Sequence, residues 1–259
     1  MSHHPRKRFG QNFLHDTNTI DRIVAHFSPG PDDHVLEIGP GQAALSSRLS
    51  NRVERLQLVE IDRDLAAQLS QRFHDQGHVT VRVGDILKTP VTEIAGGHKL
   101  RVIGNIPYNI TTPIIFHLLD ELSCISDIQL LMQKEVAERL RSQAGQKTYG
   151  RLSVAVQMQC RVETLMDISP LCFYPKPKVS STLVRLTPLP ATRIFPHNPK
   201  TLKNVLRAAF NQRRKTLRNS LKILINEEDL RNHGFDPQLR PECLSVGDFA
   251  RLSLITRIS

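Results

Sequence analysis

The chain has 259 residues, of which 39% are hydrophobic, so it can form a folded core and is not expected to be globally disordered. Its longest apolar stretches, such as 114–116 and 130–132, are too short to span a bilayer. The basic N-terminus is not followed by an apolar region, so we expect no secretory signal. The four cysteines are widely spaced without a CxxC pair, which argues against a zinc ribbon or disulfide scaffold and favours a reducing, cytoplasmic compartment.

The positive charge is concentrated at the two ends of the chain. The formal net charge is +10, and residues 191–259 contain 13 Lys and Arg against six Asp and Glu. Residues 1–190 contain 22 against 19, a surplus equal to Arg6, Lys7 and Arg8. A basic end segment on a near-neutral body indicates a polyanionic partner such as nucleic acid, although a solvated surface can have the same composition.

Apolar periodicity predicts alternating strands and helices up to residue 188. The predicted strands are 34–38, 56–61, 79–83, 101–103, 128–132, a β-rich segment 153–166, and 181–186. The predicted helices are 17–27, capped by Asp16 or Thr17, and 43–49, 64–74, 113–122 and 134–141. This alternation predicts an α/β fold with a mostly parallel, seven-stranded sheet covered on both faces.

Beyond residue 188 the pattern is only helical. The proline-rich stretch 188–199 predicts a linker, and Asn198-Pro199 predicts a helix start. One predicted helix has an apolar stripe of Leu202, Val205, Leu206 and Ala209, and a second has a stripe of Leu221, Leu224 and Ile225. Gly234 is a predicted C-cap. Ser245 and Asp248 open a last predicted helix, whose inward residues are Phe249, Leu252 and Ile255. We therefore predict two domains, residues 1–188 and a small, basic, all-α domain of residues 189–259.

A glycine turn follows the first predicted strand, and polar residues follow the next three. Gly39 and Gly41 let the backbone approach a ligand closely, and the helix that follows offers free N–H groups. Glu60 ends the second strand, where a carboxylate can accept two hydrogen bonds from a ribose diol. Asp85 and Asn105 end the third and fourth strands. These positions share the carboxyl edge, where open α/β sheets bind ligands.

The glycine turn alone does not identify its ligand. An ordinary turn between strand and helix and an NAD-binding turn have the same pattern. Glu37, an acid inside the strand two residues before the turn, favours S-adenosylmethionine over NAD, as does the segment after the fourth strand. An NAD oxidoreductase stays a distant alternative, because no catalytic acid or hydride-site pattern follows.

The segment 105–108 (NIPY) suits methylation of an exocyclic amine on a nucleic-acid base. The lone pair of that amine is delocalised into the ring, and it becomes localised when a neutral acceptor such as the Asn105 side chain holds an N–H. Pro107 has no N–H, so a neighbouring carbonyl can be a second acceptor. Tyr108 and Phe173 offer ring faces for base stacking, although a buried tyrosine and a core phenylalanine would have the same sequence. Methyl transfer then depends chiefly on in-line positioning.

Six motifs in order resemble the ribosomal RNA adenine dimethyltransferase family, and in particular its small-subunit enzymes. They are RFGQNFL (8–14), EIGPG (37–41), NIPYNITTP (105–113), QKEVA (133–137), YGRLS (149–153) and FYPKPKVSS (173–181). Ile106 stands where the family often has Leu. In the last motif, PKPK replaces a more proline-rich run and adds positive charge at the expected RNA edge.

The resemblance implies a Rossmann-like class I methyltransferase fold with S-adenosyl-L-methionine as methyl donor and no metal. It implies transfer of four methyl groups to the N6 atoms of two adjacent adenosines in the hairpin loop near the 3′ end of 16S rRNA, during 30S subunit maturation. We accordingly expect 16S rRNA in the immature 30S subunit as partner, no membrane partner, a monomer and a cytoplasmic location.

The resemblance also predicts the site residues, together with the chemistry above. The predicted catalytic set is Asn105, Pro107, Tyr108 and Phe173. The predicted cofactor-binding set is Asn12 and Leu14, Gly39 under the methionine part, Glu60 at the ribose, Asp85 at the adenine amino group, and Asn105 facing both cofactor and target.

Two other functions share much of this pattern. A 23S rRNA adenine N6-methyltransferase of the macrolide-resistance type has the Asn-Ile-Pro-Tyr motif but usually carries Lys after the second glycine, where this chain has Gln42. A non-catalytic RNA-binding or assembly factor could keep the fold. The presence of Gly39, Glu60, Asp85 and Asn105 together argues against lost chemistry.

Overall fold

The computed structural model describes residues 10–212 and 214–256. Arg6, Lys7, Arg8 and Arg213, which belong to the predicted basic ends, lie outside the described residues, as do the first two residues of the motif 8–14. The strands are β1 Phe13–Leu14, β2 His34–Ile38, β3 Arg55–Glu60, β4 Val79–Val83, β5 Leu100–Asn105, β6 Ile125–Gln133, β7 Cys160–Ile168, β8 Phe173–Tyr174 and β9 Ser181–Pro188. The helices are α1 Thr17–Phe27, α2 Ser46–Leu49, α3 Arg63–Arg72, α4 Val91–Ala95, α5 Thr111–Asp120, α6 Lys134–Arg141, α7 Arg151–Gln157, α8 Pro199–Ala209, α9 Leu217–Leu221, α10 Glu227–Asn232 and α11 Val246–Ile255.

Seven strands form one sheet in the order β4-β3-β2-β5-β6-β9-β7. Strand β2 pairs in parallel with β3 and β5, β3 with β4, and β5 with β6, whereas β9 is antiparallel to β6. The Rossmann-like, mostly parallel sheet predicted from the sequence is confirmed. The chain runs outward from β2 to β4 and then returns to β5 on the other side of β2. The strand order therefore reverses between β2 and β5, which is where such sheets bind ligands.

The central strand β2 is a continuous buried run because helices cover both faces of a parallel sheet. All five of its residues are buried, as are Leu56 and Leu58 of β3. The apolar face of α1 belongs to the same core cluster. The Asp16 side chain accepts a hydrogen bond from the Thr19 amide at 2.7 Å, so Asp16 is the cap of α1.

The chain divides into two compact units. The first consists of the residues up to Ala137 together with Glu163–Pro188, and the second of Glu138–Val162 together with the chain from Leu189 onward. Within the second unit, α8 packs against α11, and the Tyr149 hydroxyl donates to the Leu244 carbonyl at 2.9 Å. Residues 138–162, which lie inside the predicted first domain, thus group with the C-terminal helices.

The C-terminal part is helical, as the sequence predicted. Asn198 caps α8 by accepting from the Thr201 amide at 3.1 Å, and Ser245 and Asp248 form a capping box at α11. Gly234 follows α10 with φ 78°, the left-handed conformation expected after a helix end. Among residues 10–212 and 214–256, no helix combines the length and the apolar character needed to cross a bilayer.

Two predicted elements differ from the structure. The helix predicted over 43–49 begins only at Ser46, because Ala43 is left-handed (φ 65°) and prolongs the glycine turn. The segment 153–166, predicted to be β-rich, consists of the end of α7 followed by β7. Five consecutive residues of α7, 152–156, are buried. A helix buried on all sides has no polar face, so its sequence lacks helical periodicity.

Candidate functional site

A cavity lies in the first unit at the carboxyl edge of the sheet, where the strand order reverses. Its empty volume is about 950 Å³, part of which is open to solvent. The predicted site residues that line it are Asn12, Leu14, Gly39, Glu60, Asp85, Asn105, Pro107 and Tyr108. The fold therefore brings eight of the nine predicted site residues to one cavity, from β1 and from the ends of four neighbouring strands.

The glycine turn after β2 forms one wall of the cavity. Gly39 and Gly41 are left-handed, with φ 67° and 56°. The Gly39 amide donates to the Val59 carbonyl of β3 at 2.9 Å. A Cβ at Gly41 would lie 3.1 Å from the Phe13 ring. Both the backbone conformation and the close packing thus require glycine here.

Glu60 is a buried carboxylate that holds this turn in place. Its Oε2 accepts from the Gly41 amide at 3.0 Å, and its Oε1 accepts from the Asp62 amide at 2.9 Å. Burial raises the pKa of Glu60; backbone hydrogen bonds, first those from Asp62 and Gly41, oppose that rise, and the nearby Asp62 charge adds to it. A carboxylate has about four lone-pair positions, so each oxygen can still accept from a bound hydroxyl.

Glu37 lies beneath the turn and is only 2% exposed. Its Oε2 accepts from the Ser46 hydroxyl at 2.5 Å. Burial raises the pKa of Glu37 to about 8; the Ser46 bond lowers it and the neighbouring Glu60 charge raises it. Glu37 is therefore mostly protonated at neutral pH, and can donate a hydrogen bond as well as accept one.

The raised pKa of Glu37 makes stability depend on pH. Because the folded pKa of about 8 lies above the ordinary 4.5, the folded state binds more protons between these values, and stability falls as pH rises through them. The loss is at most about 1.4 kcal/mol per pH unit. We expect Glu37→Gln, which can still accept from Ser46, to remove this part of the slope. The check is the free energy of unfolding by denaturant across that pH range; unchanged slopes would contradict it.

The Asn105 amide has a fixed orientation. Its Nδ2 donates to the Asn12 carbonyl at 2.8 Å. Because a carbonyl oxygen only accepts, the NH₂ end must face Asn12. No residue of the described chain donates to the opposite atom, Oδ1. Asn105 lines the cavity and thus brings a neutral hydrogen-bond acceptor to it.

A second acceptor lies beside Pro107. The Pro107 carbonyl itself accepts from the Ile110 amide at 3.1 Å and from the Thr111 hydroxyl at 3.2 Å. Within residues 10–212 and 214–256, no hydrogen bond reaches the preceding carbonyl of Ile106. The backbone acceptor left available next to the proline is therefore that of Ile106.

Tyr108 is fixed by a residue that the sequence did not single out. Its hydroxyl and the Ser181 hydroxyl at the start of β9 are 2.6 Å apart, and Ser181 is fully buried. Burial raises the pKa of Tyr108, so its phenol stays neutral. No local pattern pairs residues 73 positions apart, which explains why Ser181 was missed.

Gly104 is a second residue that the sequence reasoning missed. A Cβ at this position would lie 2.6 Å from the Ile38 carbonyl and 2.9 Å from the Ile106 side chain. Strands β2 and β5 can therefore approach each other at the reversal point only with glycine at 104. The available signal was an isolated glycine within a strand, which often marks a close backbone approach.

We expect Gly104→Ala to lower the free energy of unfolding by about 1–3 kcal/mol, because the backbone must shift to admit the methyl group. The rate of methyl transfer should fall as well, since the next residue is Asn105. Gly77→Ala is the matched control, because an added Cβ there meets no atom within 4 Å. Equal stability of the two variants in denaturant unfolding would show that the close approach does not constrain position 104.

Phe173 is placed differently from the other predicted site residues. It pairs with Leu14 where β8 meets β1, it is only 2% exposed, and it belongs to the core cluster. It does not line the cavity. Its predicted stacking role stays a prediction, and it requires the ring face to become accessible.

The groups that line the cavity suit an organic ligand. Carboxylates, amides, backbone groups and apolar side chains line the cavity. In the part of the chain that the structure describes, no group of three His, Cys, Asp or Glu side chains could hold a metal ion.

The sheet order, the glycine turn and the cavity at its carboxyl edge define the first unit as a Rossmann-like methyltransferase fold. A family model described as ribosomal RNA adenine dimethylase matches residues 2–256. The chain is 47% identical over 256 residues to the Ribosomal RNA small subunit methyltransferase A of Methylococcus capsulatus, covering 98% of each protein. The chain belongs to the ribosomal RNA adenine dimethylase family, as its motifs indicated.

Solved structures agree with this assignment. A dimethyladenosine transferase from Plasmodium falciparum is similar with a TM-score of 0.76 and 27% identity, over 93% of this chain and 96% of that one. The 23S rRNA methyltransferase ErmE is similar with a TM-score of 0.66 and 25% identity, over 94% of this chain and 99% of that one.

Proposed function

We propose that this chain dimethylates the N6 atoms of two adjacent adenosines in the hairpin loop near the 3′ end of 16S rRNA, with S-adenosyl-L-methionine as donor, during 30S subunit maturation. The observation that supports it most is the pair of unused acceptors, Asn105 Oδ1 and the Ile106 carbonyl, at a cavity built on the glycine turn.

Two acceptors match the two N–H groups of an adenine amine. Each hydrogen bond draws the amine toward a geometry in which its lone pair is no longer shared with the ring. The nitrogen then attacks the methyl carbon, the carbon–sulfur bond breaks, and the electron pair stays on sulfur. The nitrogen becomes cationic and loses its proton readily, so no strong base is required. After the first transfer one N–H remains, and one acceptor still suffices to hold it.

The opposite side of the cavity suits the donor. Glu60 has free lone pairs for the two ribose hydroxyls. Asp85 accepts from the Leu87 amide with Oδ1 at 3.0 Å, and its second oxygen suits the adenine amino group. Asn12, Leu14 and Gly39 line the remaining wall. S-adenosyl-L-methionine, when bound, supplies an electrophilic methyl group on a sulfonium.

Tyr108 suits the face of an unstacked target base. Tyr108 lines the cavity, and its hydroxyl is held by Ser181. Because burial raises the pKa of this phenol, the ring is uncharged and suits stacking on a base. A target adenine must leave its stack to reach the methyl group, which costs least in a loop. A hairpin loop is therefore the expected kind of substrate.

An RNA substrate also requires groups that bind phosphate, and the C-terminal helices carry exposed cations that can do so. Arg207, Arg214 and Lys222 are exposed, and Arg218 is partly neutralised by Glu227 at 3.4 Å. Such cations make sequence-independent phosphate contacts while the cavity selects the base. The division of labour between residues 1–188 and 189–259, the immature 30S particle as partner, the monomeric state and the cytoplasmic location remain predictions.

The alternative substrate is 23S rRNA. The relative that is 47% identical is named for the small subunit, whereas the 23S methyltransferase ErmE is 25% identical, which favours the small subunit. Gln42 lines the cavity at the position where macrolide-resistance enzymes usually have Lys.

The test is to map methylated nucleotides in 30S subunits from cells that lack this protein. We expect two adjacent unmethylated adenosines near the 3′ end of 16S rRNA, which the purified chain dimethylates when S-adenosyl-L-methionine is added. Naked 23S rRNA is the parallel substrate. Methylation of 23S rRNA alone would refute the proposal and favour the alternative.

A further inference from the structure

The segment 174–180, which starts at the last residue of β8 and is called the rim loop below, presents exposed apolar and cationic side chains. Tyr174 is 64% exposed and Val179 is 44% exposed. Lys176 and Lys178 are exposed and make no ion pair or hydrogen bond with the described part of the chain. The rim loop contains no acidic residue. Its surface thus combines an aromatic ring with two unpaired cations.

Both ends of the rim loop are attached to walls of the cavity. At one end, Tyr174 pairs with Phe13 of β1, and Phe13 packs against Gly41 of the glycine turn. At the other end, the loop runs into Ser181, whose hydroxyl bonds that of Tyr108. The rim loop is therefore attached at both ends to residues that contact cavity-lining residues, although none of its own residues lines the cavity.

We propose that the rim loop binds the nucleotides that flank the target adenosine. Tyr174 stacks on a flanking base, and Lys176 and Lys178 contact the adjacent phosphates. This inference rests on the proposed function and extends it from the reacting base to its neighbours. Aromatic rings beside unpaired cations are how proteins hold single-stranded RNA, whose bases are unstacked and whose backbone is anionic. An exclusively positive loop favours RNA over a protein surface.

The stacking contact is tested by binding to 30S subunits that lack the modification. We expect Tyr174→Ala to weaken binding about tenfold, and Tyr174→Phe, which keeps the ring, to bind like the wild type. The KM for the particle should likewise rise in Tyr174→Ala and stay unchanged in Tyr174→Phe. The Kd for S-adenosyl-L-methionine should not change in either variant. Wild-type particle affinity in Tyr174→Ala would overturn the stacking role.

The phosphate contacts are tested by salt dependence. The double variant Lys176→Gln/Lys178→Gln should reduce the slope of log K against log salt by about 1–2. The matched control is Arg52→Gln/Arg55→Gln, because these exposed arginines lie at the amino end of β3, opposite the cavity. Equal slopes in the two double variants would contradict the proposed contacts.

The occupant itself is identified by crosslinking. A photoreactive phenylalanine analogue placed at position 174 should crosslink to 16S rRNA next to the target adenosines. A crosslink to a ribosomal protein or to a second copy of the chain would overturn the inference. If the wild-type chain does not methylate these particles, the proposed function itself fails. If the wild type is active and the rim-loop variants bind the particle equally well, only this inference is refuted.

Discussion

Replacing Asn105 with alanine should lower kcat for methyl transfer by about 100–1,000-fold, the effect of removing one preorganised hydrogen-bonding group from a reacting centre. Oδ1 is a neutral side-chain acceptor to which no residue of the described chain donates, on a residue that lines the cavity. Its loss leaves the adenine amine with its lone pair delocalised. Binding of the 30S particle should change little, because Asn105 is not among the exposed cations for which we propose the phosphate contacts. The measurement is single-turnover methylation at saturating donor.

The control is Asn109→Ala, which removes the same side chain four positions along the same motif. Asn109 is exposed and does not line the cavity. We expect it to retain most activity. Full activity in Asn105→Ala would refute the acceptor role, and an equal loss in both variants would point to disruption of the loop instead.

Replacing Glu60 with alanine should weaken the binding of the methyl donor more than any other change considered. Hydrogen bonds to a charged group contribute about 1.5–3 kcal/mol each, so losing the ribose contacts should raise the Kd for S-adenosyl-L-methionine about 100-fold or more. The Gly41 and Asp62 amides also lose their acceptor, which loosens the turn under the donor. Isothermal titration calorimetry measures the change directly.

Glu93→Ala is the control for Glu60→Ala, because it removes an exposed acid of α4 that does not line the cavity. Thermal unfolding of each variant without donor shows whether the fold survives. Glu60→Gln serves as the second variant if Glu60→Ala unfolds. Unchanged donor affinity in a folded Glu60 variant would exclude the ribose role.

The parts of the fold that the sequence predicts best are those governed by local rules. Strand β2 and the glycine turn were predictable because a short, mostly apolar run followed by two glycines on either side of a proline admits few other conformations. The carboxyl edge followed from them, since parallel strands end on the same side. The sequence alone therefore predicts that Glu60, Asp85 and Asn105 lie near one another.

Contacts between distant segments were not predictable in this way. The Tyr108–Ser181 hydrogen bond depends on the position of β9 beside β6, and the constraint on Gly104 depends on how closely β5 approaches β2. Phe173 is a case in which an exposed role was inferred from a motif, whereas pairing with Leu14 buries the ring in the core. Sequence spacing gives the order of elements, but not the depth of a side chain.

Local composition also gave no signal that residues 138–162 group with the C-terminal helices. The proline-rich stretch 188–199 predicts a linker from composition alone, whereas the boundary of the first unit at Ala137 lies inside the helix α6, where composition does not change. A unit assembled from two separate segments is defined by packing, and packing is absent from a single-sequence pattern.

The most direct test of the account is a crystal structure of the chain with S-adenosyl-L-methionine. We predict the ribose hydroxyls within hydrogen-bonding distance of the Glu60 carboxylate and the adenine amino group beside Asp85. The methyl group should face Asn105 Oδ1 and the Ile106 carbonyl. A donor bound outside this cavity, or one whose methyl group points away from these two acceptors, would contradict the proposed mechanism.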